Sequence, residues 1–172
     1  RFNSFKKNKA LKIYTKIAKQ SREPFFFREC KIEDTFQQRL EILSLNLIII
    51  LWSMKKNKNL FELSQKLIDI FFQDLDNSLI ELGVSDLSVG KKIKILAENF
   101  FGRLASYSDS IERSINENKK SYLRISIKKN FNYKEKPKIE CEKIFKYAVK
   151  NIELFKNINE DKILNVSFEF IN

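Results

Sequence analysis

The sequence predicts an all-α, single-domain bundle of about five to six helices, and three observations carry that prediction. Only three glycines and two prolines occur in 172 residues, far below what turn-rich sandwiches and barrels use. Apolar residues recur every three to four positions over most of the chain, the period of an amphipathic helix. Hydrophobic residues make up 43 % of the total, enough for one core and too many for a disordered chain. One domain over residues 1–172 is the expectation at this length.

Residues 5–22 read as a basic amphipathic helix. Phe5, Ala10, Leu11, Tyr14, Ile17 and Ala18 form its stripe, and Pro24 should end it. A second helix runs from about Asp34 to Lys55. It is apolar nearly all round from Ile42 onward, with Arg39, Asn46 and Ser53 as a narrow polar strip, so it belongs at the centre of the bundle. Its uncharged stretch, Ile42 to Met54, falls well short of the roughly 20 residues that a membrane span needs. Residues 55–59 are a lysine- and asparagine-rich exposed turn.

The third helix spans about Leu60 to Leu82. Leu60, Leu63, Leu67, Phe71, Leu75, Leu79 and Leu82 share one stripe. Asp74 falls on the packed side beside Phe71 and requires a partner there, whereas Ile80 falls in the polar arc and should be exposed. Gly83 supplies the residue expected just past a helix end, and Ser85 or Asp86 is the next N-cap. In the fourth helix Val89, Ile93, Leu96, Phe100, Leu104, Tyr107 and Ile111 form the stripe. Gly90, Ala97, Ala105 and Ser108 make a ridge of small side chains that would permit close helix contact. Gly102 sits mid-helix on the far side, where glycine costs about 1 kcal/mol against alanine; this points to a packing or binding role.

Residues 119–138 fit two patterns. Leu123, Ile125 and Ile127 alternate as in a strand, while Leu123, Ile127 and Phe131 fit a helix. A last helix runs from about Ile139 to Phe155, with Cys141, Phe145, Ala148, Ile152 and Phe155 on one face. The tail alternates Val166, Phe168 and Phe170 with polar residues and is expected to be a short extended segment packed on the bundle.

The chain has no histidine. That removes serine–histidine and cysteine–histidine catalysis and histidine-held metals. Cys30 and Cys141 lie too far apart in sequence for a paired-cysteine metal or redox motif and are expected to be reduced, partly buried thiols. Asp74, Glu81, Lys94 and Tyr107 have acid–base chemistry, yet no nucleophile motif, phosphate loop or metal cluster accompanies them. The expectation is no enzymatic activity, no cofactor and no metal.

The net charge is +11, unevenly spread. Residues 1–22 carry +8 and residues 119–138 carry +7, while 23–118 carry −3 and 139–172 carry −1. Two basic segments around a nearly neutral body point to docking on an anionic surface, lipid or ribosomal RNA, through Lys6, Lys7, Lys9, Lys12, Lys16, Lys128 and Lys129, with no DNA expected. A ribosome- or RNA-associated module acting through residues 1–22 and 119–138 is the alternative this charge supports. Lysines that simply solvate loops and helix faces are the plain reading of the same pattern.

The stretch from Phe71 to Tyr107 holds most of the unusual polar residues and all three glycines. It resembles the core of the ubiquinol–cytochrome c chaperone family, the assembly factors of the cytochrome bc1 complex. The matching positions are Phe71, Phe72, Asp74, Asp76, Leu79, Glu81, Gly83, Val84, Asp86, Leu87, Val89, Gly90, Lys91, Lys94, Ala97, Glu98, Gly102, Arg103 and Tyr107. Upstream, Tyr14, Ile17, Gln20, Arg22 and Pro24 also look like the family's first helix, and Ile80 departs from the basic residue the family carries there.

The resemblance implies a non-enzymatic, all-α assembly chaperone that binds newly made cytochrome b and guides it into complex III. It implies work at a membrane surface, near the ribosomal tunnel exit and with a second assembly factor. The location is the bacterial inner-membrane face or the matrix side of the mitochondrial inner membrane. Partner-binding residues are expected among Asp74, Asp76, Leu79, Glu81, Gly83, Asp86, Lys91, Lys94, Phe101, Gly102, Arg103 and Tyr107. Within that set Gly83 and Asp86 also read as helix caps, and Asp74 or Glu81 as internal partners of Lys94 or Arg103. A groove between the third and fourth helices, walled by phenylalanine and leucine, is the expected client surface.

Overall fold

A computed structural model describes residues 2–132 and 137–172, with side chains described for 4–132 and 141–172. Arg1, Lys134, Glu135, Lys136 and the side chain of Lys138, counted above in the basic segments, lie outside these described residues. Six helices of ten residues or more build the fold: α1 (Phe2–Ser21), α3 (Phe36–Met54), α4 (Phe61–Glu81), α5 (Asp86–Asn116), α6 (Ser121–Asn130) and α7 (Pro137–Phe155). Two single-turn helices, α2 (Pro24–Arg28) and α8 (Glu160–Leu164), complete the α set, and no strand occurs among the described residues.

Helix α3 is the hub. It packs against α1, α4, α5 and α7, while α6 bridges α5 and α7. Its positions from Ile42 to Trp52 are buried almost without interruption, which a helix with apolar residues on every face requires. Thr35 caps it by accepting the Gln38 amide at 3.2 Å. Asn46, expected on a polar strip, is instead fully buried. It donates to Ser21 Oγ at 3.0 Å and accepts the Tyr147 hydroxyl at 2.7 Å. Satisfied in this way, the amide tethers α1 and α7 to the hub without the cost of an unpaired buried polar group.

The stripe of α1 is rotated from the expected one. Ala10, Ile13, Tyr14, Ile17 and Ala18 are buried, while Phe5 and Leu11 face solvent. α1 and α4 run in the same direction, as Lys6 meets Glu62 at one end and Tyr14 meets Asp74 further along. Ile13 then turns inward where Leu11 does not. Residues 121–130 are helical: Leu123 and Ile127 are buried and Ile125 is exposed, so the four-residue spacing prevails over the alternating one. Pro24 starts α2 at its first turn, where its missing amide hydrogen costs nothing.

The tail after α8 has no regular secondary structure and packs along the seam between α1 and α7. Phe168 and Phe170 stack edge-on against Phe155. Asn151 grips the backbone of Ile171 from both sides, donating to its carbonyl at 2.8 Å and accepting its amide at 2.9 Å. Lys16 donates to Val166 O and to Glu169 Oε1. Cys30 and Cys141 are both buried and not disulfide-linked. None of the described helices is long and apolar enough to cross a membrane.

Candidate functional site

The segment singled out in the sequence forms the α4–α5 hairpin. Gly83 ends α4 with φ +86°, a left-handed conformation that glycine adopts without a Cβ penalty. The Gly83 amide donates to Ile80 O and the Val84 amide to Leu79 O, closing the orphan carbonyls of the helix end. Ser85, not Asp86, occupies the N-cap position of α5, and Asp86 is the first helical residue. There its carboxylate faces the positive end of the helix dipole.

The expected internal ion pairs form with different partners. Asp74 accepts the Tyr14 hydroxyl of α1 at 2.5 Å, and Arg103 pairs with Glu41 of α3; neither Asp74 nor Glu81 meets Lys94 or Arg103. The Arg103–Glu41 pair is two-pronged, Nε to Oε2 at 2.6 Å and Nη2 to Oε1 at 2.6 Å, and Glu41 is buried. The Glu41 carboxylate, hydrogen-bonded to Arg103, holds the guanidinium's pKa above its ordinary value. Burial pushes the Tyr14 hydroxyl well up, with Asp74 adding to it. Burial does the same to Tyr107, which accepts a hydrogen bond from Asn130. Leu79 and Tyr107 are buried in the scaffold and Arg103 is tied to it, whereas Asp74 and Gly83 are bonded within the fold and yet exposed.

The remaining motif residues face outward. Glu81, Lys91, Lys94 and Gly102 are exposed, Asp76 is half-buried, and Phe101 is 49 % exposed. Leu82, expected on the packed stripe, also points to solvent, as does Ile80. Leu87 is bare at the hairpin tip. Gly90 and Gly102 have no atom within 4 Å of where a Cβ would sit, so no close helix contact uses them.

Ala105 and Ser108, read as part of that close-contact ridge, instead form the low wall of a groove. This groove runs between α3, α4 and α5 and encloses about 660 Å³. Leu51, Trp52 and Met54 of α3 make its floor, Phe61 and Ile68 of α4 one side, and Phe101 and Leu104 of α5 the other. Phe101 is held at the rim by stacking on Phe72 and Phe100. A second trough of about 450 Å³ lies between α1, α3 and α4; Arg22, Arg39, Asp74 and Glu81 edge it above a floor of Leu40, Leu43 and Leu75.

Three of the lysines expected to dock on anionic surfaces are engaged within the fold. Lys6 pairs with Glu62, Lys9 donates to the Leu164 carbonyl at 2.7 Å, and Lys16 pairs with Glu169. Lys7, Lys12, Lys128 and Lys129 are exposed. Charge counting had no means of separating these two groups, because the partners lie 56 to 155 positions away. Sequence reading also missed Glu41; its place immediately before the uncharged run Ile42 to Met54, on a helix read as central, was the available signal.

The chain resembles proteins of one kind. The crystal structure of a Cbp3 homolog from Brucella abortus superposes with a TM-score of 0.83 at 27 % identity, covering 100 % of this chain and 93 % of that one. No curated protein matches in sequence. The profile of the ubiquinol–cytochrome C chaperone family matches residues 28–170, and the chain belongs to that family.

Proposed function

We propose that this protein is a non-enzymatic chaperone that shelters newly made cytochrome b during assembly of the cytochrome bc1 complex. Family membership supports a chaperone acting on a complex III client. The observation that carries the finer reading is the α3–α4–α5 groove. Its lining is mainly apolar, with Trp52, Phe61 and Phe101 among eight apolar residues, and its size suits several apolar side chains. A segment destined for the bilayer is such a ligand: it must be kept from water yet released without chemistry.

Phe61 and Phe101 are the contact residues in this reading, with Gly102 next to Phe101 and with Asp76, Lys91 and Lys94 further along the same hairpin toward Gly83. The setting is the bacterial inner-membrane face or the matrix side of the mitochondrial inner membrane. The ribosome near its tunnel exit and a second assembly factor are further partners, and the exposed Lys128 and Lys129 support an anionic ribosomal contact.

A photocrosslinker at Phe101 during client synthesis tests the proposal. Adducts with cytochrome b are expected, and the same probe at exposed Ile125 on α6 serves as the control. Labelling of soluble proteins with cytochrome b absent refutes it. Deletion of the gene is expected to lower cytochrome b and complex III together.

A further inference from the structure

We propose that the end of the bundle carrying the α3–α4 turn docks on an anionic phospholipid surface. The sequence places the excess charge in residues 1–22 and 119–138, but the fold distributes it otherwise. Lys55, Lys56 and Lys58 all lie in the turn and are exposed. Lys56 rests over the Trp52 ring, and no ion pair holds Lys55 or Lys58 among the described residues. Because α1 and α4 run side by side in one direction, the start of α1 sits at this same end and adds exposed Lys7.

Of the acidic groups nearby, one is neutralised by a lysine and, among the described residues, two are bonded only to neutral donors. Glu62 is paired with Lys6, Glu160 accepts from Asn57 and Asn59, and Glu112 accepts from Trp52 and Asn116. In α8, Asp161 and Lys162 offset each other. Lys7, Lys55, Lys56 and Lys58 outnumber the two carboxylates without a cation, Glu112 and Glu160, so this end keeps a net positive charge.

Two phenylalanines sit among these lysines with most of their surface in water: Phe61 is 69 % exposed and Phe5 61 %. Cations beside protruding apolar rings match the boundary between anionic headgroups and acyl chains, which satisfies both at once. The α3–α4–α5 groove reaches this end, since Lys55, Asn57, Lys58 and Phe61 line it together with Met54. An acyl chain entering between Phe61 and Met54 would find apolar walls on both sides, whereas an RNA base would use the exposed ring faces alone. Lys128 and Lys129 lie at the C-terminal end of α6, near Asn132, which bonds to Glu33 and Gln38 at the start of α3. That is the opposite end of the bundle, so a flat membrane meeting the turn would not reach them.

The inference rests on the chaperone reading only for its purpose: docked this way, the client groove would open onto the bilayer. It is tested without a client, by co-sedimenting the full chain with vesicles. Binding is expected to vesicles of equal parts phosphatidylcholine and phosphatidylglycerol, weakened by salt, and not to phosphatidylcholine alone. The K55Q/K56Q/K58Q variant is expected to bind about 100-fold more weakly, at roughly fivefold per lysine near the surface. F61S is expected to bind about tenfold more weakly through lost apolar insertion. These positions are exposed, and an unchanged thermal melt would verify that the fold is intact.

Binding by K128Q/K129Q is expected to match the unaltered protein. Equal binding to neutral vesicles would overturn the proposal. So would undiminished binding by the triple lysine variant, or binding to an RNA oligonucleotide in place of vesicles. Loss of client crosslinks at Phe101 with vesicle binding intact would sink the chaperone reading and leave this one standing.

Discussion

Replacing Arg103 by methionine leaves the Glu41 carboxylate in the core without its cation. In the folded protein this carboxylate accepts both prongs of the guanidinium at 2.6 Å, and its side chain is 4 % exposed against 26 % for Arg103. Among the described residues only the Gln37 amide, at 3.3 Å, remains to serve it after the change. Breaking a buried pair from one side costs about 3–5 kcal/mol. Because water reaches part of Arg103, a value near the lower limit, about 3 kcal/mol, is expected. For a chain of this size that is a melting-temperature loss of roughly 6–12 °C.

The double variant E41L/R103M removes both charges and is expected to recover to within about 1 kcal/mol of the unaltered protein. Urea unfolding followed by circular dichroism measures all three proteins. A loss below about 0.5 kcal/mol, or a double variant as unstable as the single one, would refute the assignment of Arg103 to the scaffold.

Three further outcomes follow from the geometry. G102A places a methyl group in open space on a helix and should raise stability by roughly 0.5–1 kcal/mol; if a partner approaches the backbone there, client crosslinking at Phe101 should fall while the melt improves. N151A releases both backbone bonds to Ile171, so hydrogen exchange at the Ile171 amide should lose its protection, at a stability cost of about 1–3 kcal/mol. In alkaline solution Tyr14, Tyr107 and Tyr147 all hold their protons beyond the unfolded value. Stability should be intact below about pH 10 and fall above it by up to about 1.4 kcal/mol per pH unit for each tyrosine. Their ultraviolet tyrosinate signal should then appear together with unfolding.

The helices were legible because each one is a repeat of local spacing. The unbroken apolar run of α3 placed it at the centre before any contact was known, and the α4 stripe from Leu63 to Leu79 is buried as its period requires. Gly83 was legible too, as the residue type able to turn the chain there. The family resemblance came from the same hairpin, which supplies both the turn and the exposed polar residues.

Periodicity identifies which face of a helix is apolar, but it does not name the neighbour. Asp74 announced its need for a partner, and Tyr14, 60 positions earlier, answered it. Arg103 found Glu41 across 62 positions. Phe5 and Leu11 satisfied the α1 pattern yet face solvent, because the packing of α1 on α3 and α4 selects Ile13 in their place. The residues themselves determined an all-α bundle with a buried third helix and a glycine-hinged hairpin. Tertiary structure alone decided which charges are cancelled, that Ala105 and Ser108 open a groove, and that Phe5 and Lys7 of α1 join the turn lysines at one end. The physical reason is that all three depend on how helices stack in space, a choice made by the summed burial of the whole core and not by any single segment.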